Sequence, residues 1–219
     1  MPVLLENDIT APRLIILRGS PAVGKSTVAK KVAALNSAKK KAYVPVDDFQ
    51  LYDLRKPSLD REHLAIKNAA ILTKNFLLNG FDVVLDYVFD HIEDEIEFCD
   101  FLFSASIDSF KEDIFVQKFY LDAPMEKVIK RNQSRSGKRG EYMNAPLLRK
   151  LYQRVSETKG QIPGEVIIDT TPLSAKQCAR FILSYTSAEK NNISPVTITL
   201  PEKDAARSLE SAPTSDEEQ

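Results

Sequence analysis

Short apolar runs alternate with segments of helical hydrophobic spacing along most of the chain. The run Leu14–Leu17 is continuous, as expected of a strand that is buried on both faces of a sheet. Four further runs have the length and composition of strands, and they cover residues 43–46, 82–89, 114–121 and 165–169. Strands that alternate with helices predict a parallel sheet with right-handed crossovers. The expected fold is therefore three-layer α/β with a five-stranded parallel sheet.

Helical segments lie between these runs, and several have recognisable ends. Asp60 is a candidate N-cap for a helix that continues to Asn79. Later helices are predicted to begin near Pro124, after Asn144 and after Ser174. The apolar positions that helical spacing predicts to be buried are Leu64, Ile71, Leu72 and Phe76 in the first of these helices and Ile92, Ile96, Cys99 and Phe103 in the helix after the third strand.

Composition limits the class of protein. The chain has 219 residues, of which 43% are hydrophobic and 28% charged, so it can bury one core and is not expected to be disordered. Its net charge of −1 and pI of about 6.2 lack the basic character of dedicated nucleic-acid binders. No stretch approaches the roughly 18 apolar residues of a membrane helix. We expect a soluble, cytoplasmic protein with no membrane partner.

The end of the chain differs in composition from the rest. Residues 188–219 contain seven acidic and three basic residues, whereas residues 1–187 contain 24 and 27. Ser, Pro, Ala and Glu dominate from Pro201 onward, which is typical of a disordered tail. Apolar residues alternate with Thr in 195–200, which indicates a short extra strand. The chain is therefore predicted to divide into a domain, 1–187, and an acidic tail, 188–219.

The strongest motif follows the first strand and opens a helix. It matches the P-loop pattern Gly, four residues, Gly-Lys-Ser/Thr, and its residues are Gly19, Ser20, Pro21, Ala22, Val23, Gly24, Lys25, Ser26 and Thr27. Gly19 and Gly24 allow the backbone to turn so that successive N–H groups point at phosphate oxygens. The N-terminus of the following helix adds its positive dipole. The segment is therefore predicted to bind a nucleoside triphosphate in a P-loop fold, which GTPases, motor ATPases and kinases share.

The same motif predicts where Mg²⁺ and the terminal phosphates lie. Lys25 is expected between the β- and γ-phosphates, and the Ser26 hydroxyl is expected to ligate Mg²⁺. Asp86 ends the apolar run of the third strand, where an aspartate usually holds the Mg²⁺ ion directly or through water.

Two adjacent carboxylates close the second predicted strand. Asp47 and Asp48 are expected at the carboxyl edge of the sheet, where ligands bind in open parallel sheets. A carboxylate there can accept the proton of a substrate hydroxyl as that hydroxyl attacks the γ-phosphate. Asp47 is the first candidate for the general base, and Asp48 is the second.

A basic segment follows the fourth predicted strand. Residues 127–139 contain six basic residues and no acidic one. Arg131 and Arg135 have i, i+4 spacing and precede a flexible Ser-Gly-Lys-Arg-Gly sequence. This pattern predicts a helical lid whose arginines stabilise charge on the transferred phosphate. Lys138 and Arg139 are weaker candidates for the same role.

With these residues placed, the chain resembles the small P-loop kinases, which include bacteriophage polynucleotide kinase, zeta-type toxins and chloramphenicol phosphotransferase. The resemblance covers about residues 13–187 and implies that Asp47 is the base and that Arg131 and Arg135 bind phosphates. The segment 169–171 resembles the loop that borders the adenine in such kinases, which implies a role for Thr170 in nucleotide binding.

One position departs from the polynucleotide kinases and zeta toxins. Those proteins tend to place an arginine shortly after the catalytic acid, and this chain has Gln50 there, with Arg55 and Lys56 further along. We therefore expect an ATP-dependent kinase whose acceptor is a small hydroxyl-bearing molecule, nucleoside-like or antibiotic-like. The alternatives are a 5′-hydroxyl polynucleotide kinase, for which the partner would be nucleic acid, and a nucleotide-hydrolysing switch without an acceptor.

Overall fold

Six parallel strands form one sheet in the computed structural model, which describes residues 11–50, 59–103, 114–135, 142–185 and 196–198. The strands are β1 (Arg13–Gly19), β2 (Lys41–Pro45), β3 (Asp82–Asp86), β4 (Phe115–Asp122), β5 (Glu165–Asp169) and β6 (Val196–Ile198). Their order is β2-β3-β1-β4-β5-β6, and every neighbouring pair is parallel. The predicted α/β fold with its five-stranded parallel sheet is confirmed. The sixth strand lies within 195–200, where the sequence indicates a short strand.

Helices and one 3₁₀ turn connect these strands. The helices are α1 (Lys25–Leu35), α2 (Leu59–Leu78), α3 (Ile92–Phe103), α4 (Met125–Gln133), α5 (Ala145–Glu157) and α6 (Ala175–Ser184), and the 3₁₀ helix is Val46–Gln50. Asn144 caps α5 by accepting a hydrogen bond from the Leu147 amide at 2.9 Å. Ser174 caps α6 in a capping box with Gln177. Within the described ranges, the helices are too short or too polar to cross a membrane.

The central strand β1 contributes to both faces of the sheet. Ile15 and Leu17 belong to a core that includes α1 and α6, whereas Leu14 and Ile16 belong to a second core that includes α2 and α3. Because successive side chains of a strand point to opposite faces, a continuous apolar run is what a strand between two helical layers requires. Pro45 is tolerated because β2 lies at the edge of the sheet.

The buried faces of α2 and α3 differ from the predicted ones. In α2, Leu64 is 42% exposed and Ile71 is 46% exposed, and in α3, Ile96 is 54% exposed. The positions that are buried instead are Ala65, Ile66, Ala69, Ala70 and Leu77 in α2 and Asp94, Glu95, Phe98 and Leu102 in α3. Small residues on α2 permit close approach to its neighbours, and two acidic residues of α3 face inward. The predicted positions Leu72, Phe76, Cys99 and Phe103 are partly buried and pack against the second core. The prediction was therefore correct only in part, because hydrophobicity alone does not identify buried alanines or buried acidic residues.

A buried ion pair connects β1 to β5. Arg18, which is 1% exposed, contacts Glu165 through Nε, and its Nη2 donates to Glu165 Oε2 at 2.9 Å. The Arg18 guanidinium also donates to Oγ1 of Thr158 at 2.8 Å and to the Thr158 carbonyl at 2.7 Å. Its Cζ lies 5.0 Å from the centre of the Tyr120 ring. The strand that leads into the P-loop is thereby attached to the end of α5.

Candidate active site at the carboxyl edge of the sheet

The predicted P-loop connects the end of β1 to the start of α1. Gly19 and Gly24 have φ of 139° and 115°, and Ala22 between them has φ of 61°. A Cβ atom on Gly19 would lie 2.4 Å from the carbonyl oxygen of Leu121 in β4. Glycine is therefore required at position 19 both for its backbone conformation and for the close approach of the neighbouring strand.

We expect Gly19→Ala to be more destabilising than an alanine at another glycine with positive φ. Backbone strain at such a position costs about 1–3 kcal/mol, and the contact with Leu121 adds to it. Gly164→Ala is the matched control, because Gly164 has φ of 73° but no atom within 4 Å of the added Cβ. Urea unfolding of both variants measures the difference. Equal free energies of unfolding would show that the Leu121 carbonyl moves away without cost.

Lys25 is buried beneath the loop that precedes it. Its Nζ donates to the carbonyl oxygens of Gly19 at 2.9 Å and Ser20 at 3.1 Å, and the residue is 7% exposed. Burial lowers the pKa of Lys25, Asp86 and Asp47 oppose this change, and Arg135 adds to it. Asp86, Asp47 and Arg135 therefore lie within electrostatic range of Lys25.

Ser26 and Asp86 are in direct contact. Ser26 Oγ donates to Asp86 Oδ2 at 2.8 Å, and the hydroxyl of Tyr43 donates to Asp86 Oδ1 at 2.7 Å. The pair offers a hydroxyl and a carboxylate, which are the oxygen ligands that Mg²⁺ prefers, so these residues fit the predicted ion. Sequence analysis missed Tyr43. Its position in β2 beside β3 is the reason it reaches Asp86, and no motif indicates that pairing.

Asp47 and Asp48 lie in the 3₁₀ helix directly after β2. Desolvation raises the pKa of Asp47, Lys25 opposes this change, and Asp86, Asp48 and Glu62 add to it. Asp48 instead contributes to the raised pKa of the Tyr43 hydroxyl, for which burial and Asp86 are the larger causes. Of the two carboxylates, Asp47 is therefore the one that interacts with the P-loop lysine.

Arg131 joins three parts of the site. Its Nη1 donates to the Val23 carbonyl at 2.6 Å and to Thr170 Oγ1 at 2.9 Å, while Nη2 donates to the Thr170 carbonyl at 2.9 Å. Thr170 in turn donates from its amide and its hydroxyl to the Asp122 carbonyl at 2.8 and 2.9 Å. Arg131 thus binds the P-loop backbone and the loop after β5. The predicted contact of Arg131 with phosphate stays a prediction.

Of the other basic residues predicted for the lid, the structure describes Arg135 but not Lys138 or Arg139. Arg135 follows the end of α4, and its charge is one of the causes that lower the pKa of Lys25. Lys138 and Arg139 lie outside the described residues, as do Arg55 and Lys56.

A group of hydrogen-bonded polar side chains next to the 3₁₀ helix that contains Asp47 was not predicted. Gln50 Nε2 donates to the Tyr87 hydroxyl at 3.0 Å, and that hydroxyl donates to Glu62 Oε1 at 2.7 Å. Burial, together with Glu62 and Asp90, raises the pKa of Asp94 to about 6. The signal available in the sequence was the group of acidic residues at the start of α3, which is common at helix N-termini and therefore not diagnostic.

Comparison with known proteins identifies the fold. The sequence matches no model of a protein family and no curated protein. A gluconokinase from Sinorhizobium meliloti 1021 is similar with a TM-score of 0.56 at 14% identity, over 80% of this chain and 91% of that one. The Deinococcus radiodurans tunicamycin resistance protein is similar with a TM-score of 0.56 at 16% identity, over 78% and 93%.

A third similar structure is a chain of the Pnkp1/Rnl/Hen1 RNA repair complex. The TM-score is 0.55 at 22% identity, over 70% of this chain and 47% of that one, so this chain spans about half the length of that protein. Together with the site geometry, these similarities define the class: the chain has the fold of the P-loop kinases.

Proposed function

We propose that the protein is an ATP-dependent kinase that transfers the γ-phosphate of Mg–ATP to a hydroxyl group of a small-molecule acceptor. The observation that carries this proposal is the arrangement of three groups at one edge of the sheet: the P-loop lysine, the hydrogen-bonded pair Ser26–Asp86, and Asp47 within electrostatic range of Lys25. A nucleotide switch requires the first two groups. A carboxylate base beside them is what a hydroxyl acceptor requires in addition.

The P-loop would bind the triphosphate. Its backbone N–H groups and the N-terminus of α1 form an anion site, and Lys25 would exchange its two carbonyl contacts for phosphate oxygens. Thr170 is proposed to border the adenine. Arg131 would keep the P-loop and the loop after β5 at a fixed distance, since it bonds to both.

Ser26 and Asp86 are the residues that would hold Mg²⁺. When bound, this ion neutralises negative charge on the β- and γ-phosphate oxygens. The Tyr43 hydroxyl fixes the orientation of the Asp86 carboxylate through its bond to Oδ1. Asp86 Oδ2, which accepts from Ser26, is the oxygen that would bind the ion together with the Ser26 hydroxyl.

Asp47 would act as the general base. The acceptor oxygen attacks the γ-phosphorus, the bond from that phosphorus to the β,γ-bridging oxygen breaks, and the hydroxyl proton passes to the Asp47 carboxylate. The products are the phosphorylated acceptor and ADP. Lys25 and Arg135, whose charges interact with each other, would stabilise negative charge on the transferred group.

The residues that follow Asp47 favour a small-molecule acceptor over a polynucleotide acceptor. Gln50, at the position where polynucleotide kinases tend to have an arginine, is hydrogen-bonded to Tyr87. A polynucleotide acceptor and an acceptor-free switch are the two outcomes that would replace this proposal.

The test is transfer of label from γ-labelled ATP with Mg²⁺. A 5′-hydroxyl oligonucleotide is offered beside nucleosides, sugars and aminoglycosides, with Asp47→Asn as the inactive control. Label on a small molecule alone supports the proposal and identifies the substrate class. Label on the oligonucleotide would establish the polynucleotide alternative. Free phosphate released at one rate with or without acceptors would indicate a switch.

Lys25→Ala is expected to abolish transfer and to weaken ATP binding by about 10–100-fold, since it removes charge-assisted hydrogen bonds to phosphate. Calorimetric titration with ATP measures the affinity. Lys31→Ala removes an exposed lysine of the same helix and should leave affinity unchanged. Because Lys25 also bonds the loop, a melting curve checks that the variant is folded. Unchanged affinity and activity in folded Lys25→Ala would refute the P-loop assignment.

A further inference from the structure

Three carboxylates from separate elements converge beyond Asp47. Glu62 belongs to α2, Asp90 to the connection after β3, and Asp94 to the first turn of α3. One oxygen from each lies within 4.8 Å of the others. Asp90 and Asp94 are each 7% exposed, so two of the three charges are almost completely removed from solvent.

Hydrogen bonds and ion pairs are formed by only some of the carboxylate oxygens in this cluster. The Tyr87 hydroxyl donates to Glu62 Oε1, and Arg154 Nη2 lies 2.9 Å from Asp90 Oδ2. Asp94 Oδ2 is buried and has no hydrogen-bond partner among the residues that the structure describes. A buried carboxylate oxygen without a partner is costly, and such atoms usually have a water or an ion beside them.

The charges of the cluster are also unbalanced. Among the described residues, the three carboxylates are paired with the guanidinium of Arg154, which also contacts His91, and the His91 backbone donates a hydrogen bond to Asp94. The dipole of α3 supplies only about half a positive charge at its N-terminus. The cluster therefore keeps an excess of more than one negative charge, and a dipositive ion would neutralise it better than a single ammonium group.

We propose that Glu62, Asp90 and Asp94 bind a divalent cation of the oxygen-preferring class, Mg²⁺, Mn²⁺ or Ca²⁺, at a site separate from Ser26 and Asp86. Such ions accept monodentate carboxylates and complete their coordination with water. This site does not depend on bound nucleotide or on the proposed kinase activity.

The site has a structural connection to the proposed base. Glu62 accepts from Tyr87, Tyr87 accepts from Gln50, and Gln50 belongs to the 3₁₀ helix that contains Asp47. An ion on Glu62 would therefore hold this chain of hydrogen bonds in place on the acceptor side of Asp47.

The test uses Tb³⁺ in the absence of nucleotide and acceptor. The protein has seven tyrosines and no tryptophan, and Tyr87 contacts a proposed ligand, so Tb³⁺ at this site should give tyrosine-sensitised emission. Tyr43 contacts Asp86, so the signal of the nucleotide-metal site is removed with Asp86→Asn. We expect saturable emission that Mn²⁺ or Ca²⁺ displaces. Asp94→Asn and Asp90→Asn should each weaken Tb³⁺ binding by at least about 10-fold, since losing a partner that only orients a metal ligand already costs about 10–100-fold.

Two controls separate this site from others. Asp86→Asn removes the proposed nucleotide-metal site, where the Tyr43 hydroxyl also lies close enough to sensitise Tb³⁺, so the Asp90 and Asp94 variants are compared in that background. Asp100→Asn alters an exposed acid of α3 and should keep the Tb³⁺ affinity of its parent. In the Asp86→Asn background, Mn²⁺ should raise the melting temperature, and adding Asp94→Asn should remove most of that increase. Because Asp94→Asn relieves repulsion, it should be no less stable than the metal-free wild type, so lost binding cannot reflect unfolding. Wild-type affinity in Asp94→Asn and Asp90→Asn, or loss only in Asp86→Asn, would overturn the proposal.

Discussion

Asp47→Asn is expected to bind ATP with wild-type affinity and to transfer phosphate about 10²–10⁴ times more slowly, which is the usual contribution of a general base. The amide keeps the size of the carboxylate but cannot accept the acceptor's proton. Asp47 is the better candidate than Asp48 because it interacts with Lys25, whereas Asp48 interacts with Tyr43.

The matched control for this prediction is Asp48→Asn in the same 3₁₀ helix. Single-turnover transfer and calorimetric ATP binding are measured for both variants. If Asp48→Asn slows transfer by the larger factor, the two carboxylates have the opposite roles. If neither slows it, the proposed base is wrong.

The pH profile gives a second measure of the same group. Desolvation raises the pKa of Asp47, so the carboxylate is protonated at a higher pH than an ordinary aspartate. Transfer should therefore fall on the acid side starting from a higher pH than an unperturbed aspartate would give. Asp47→Asn has no proton to gain at this position, and its low residual rate should lack that acid limb.

Arg18→Met is expected to lower the free energy of unfolding by about 3–5 kcal/mol, the range found when one partner of a buried ion pair is removed. The variant leaves Glu165, which is 0% exposed, without its guanidinium. Burial raises the pKa of Glu165 and Arg18 opposes that change, so the carboxylate would become harder to keep ionised. Loss of the bonds to Thr158 removes a further connection to α5.

Urea unfolding of single and double variants tests this interpretation. Arg18→Met with Glu165→Leu should recover much of the loss, because replacing both charges by apolar groups of similar size is often neutral. Arg13→Met is the comparison, since its pair with Asp82 at 3.3 Å is partly exposed and should contribute less. A loss in Arg18→Met no larger than in Arg13→Met would show that the buried pair is not a major support of β1.

Features that depend on neighbours in sequence were well predicted. Asn144 and Ser174 cap their helices through bonds to residues three positions later, and the P-loop motif connects β1 to α1 as its spacing requires. The buried sides of α2 and α3 were predicted only in part, because they depend on which surfaces of the sheet and of each other the helices contact. Leu64 and Ile96 are apolar and yet largely exposed for this reason.

In the candidate site, too, features set by neighbouring residues were predicted and contacts between distant residues were not. The sequence alone indicated Gly19, Gly24 and Lys25, and the aspartates Asp47 and Asp86 at the ends of two strands. Parallel topology brings the ends of these strands to one edge of the sheet. The bond between Tyr43 and Asp86 was not visible, because it depends on β2 lying beside β3. The contact between Arg131 and Thr170 likewise joins residues 39 positions apart.

By itself, the sequence determined the α/β class, the order of strands and helices, and the phosphate-loop motif, because periodicity, capping and turn chemistry act over a few residues. Only the tertiary structure decided the sheet order β2-β3-β1-β4-β5-β6, the buried faces of α2 and α3, and the meeting of Glu62, Asp90 and Asp94. The physical reason is that these contacts join residues far apart in sequence, and the free energy that selects them comes from packing and charge in the assembled core.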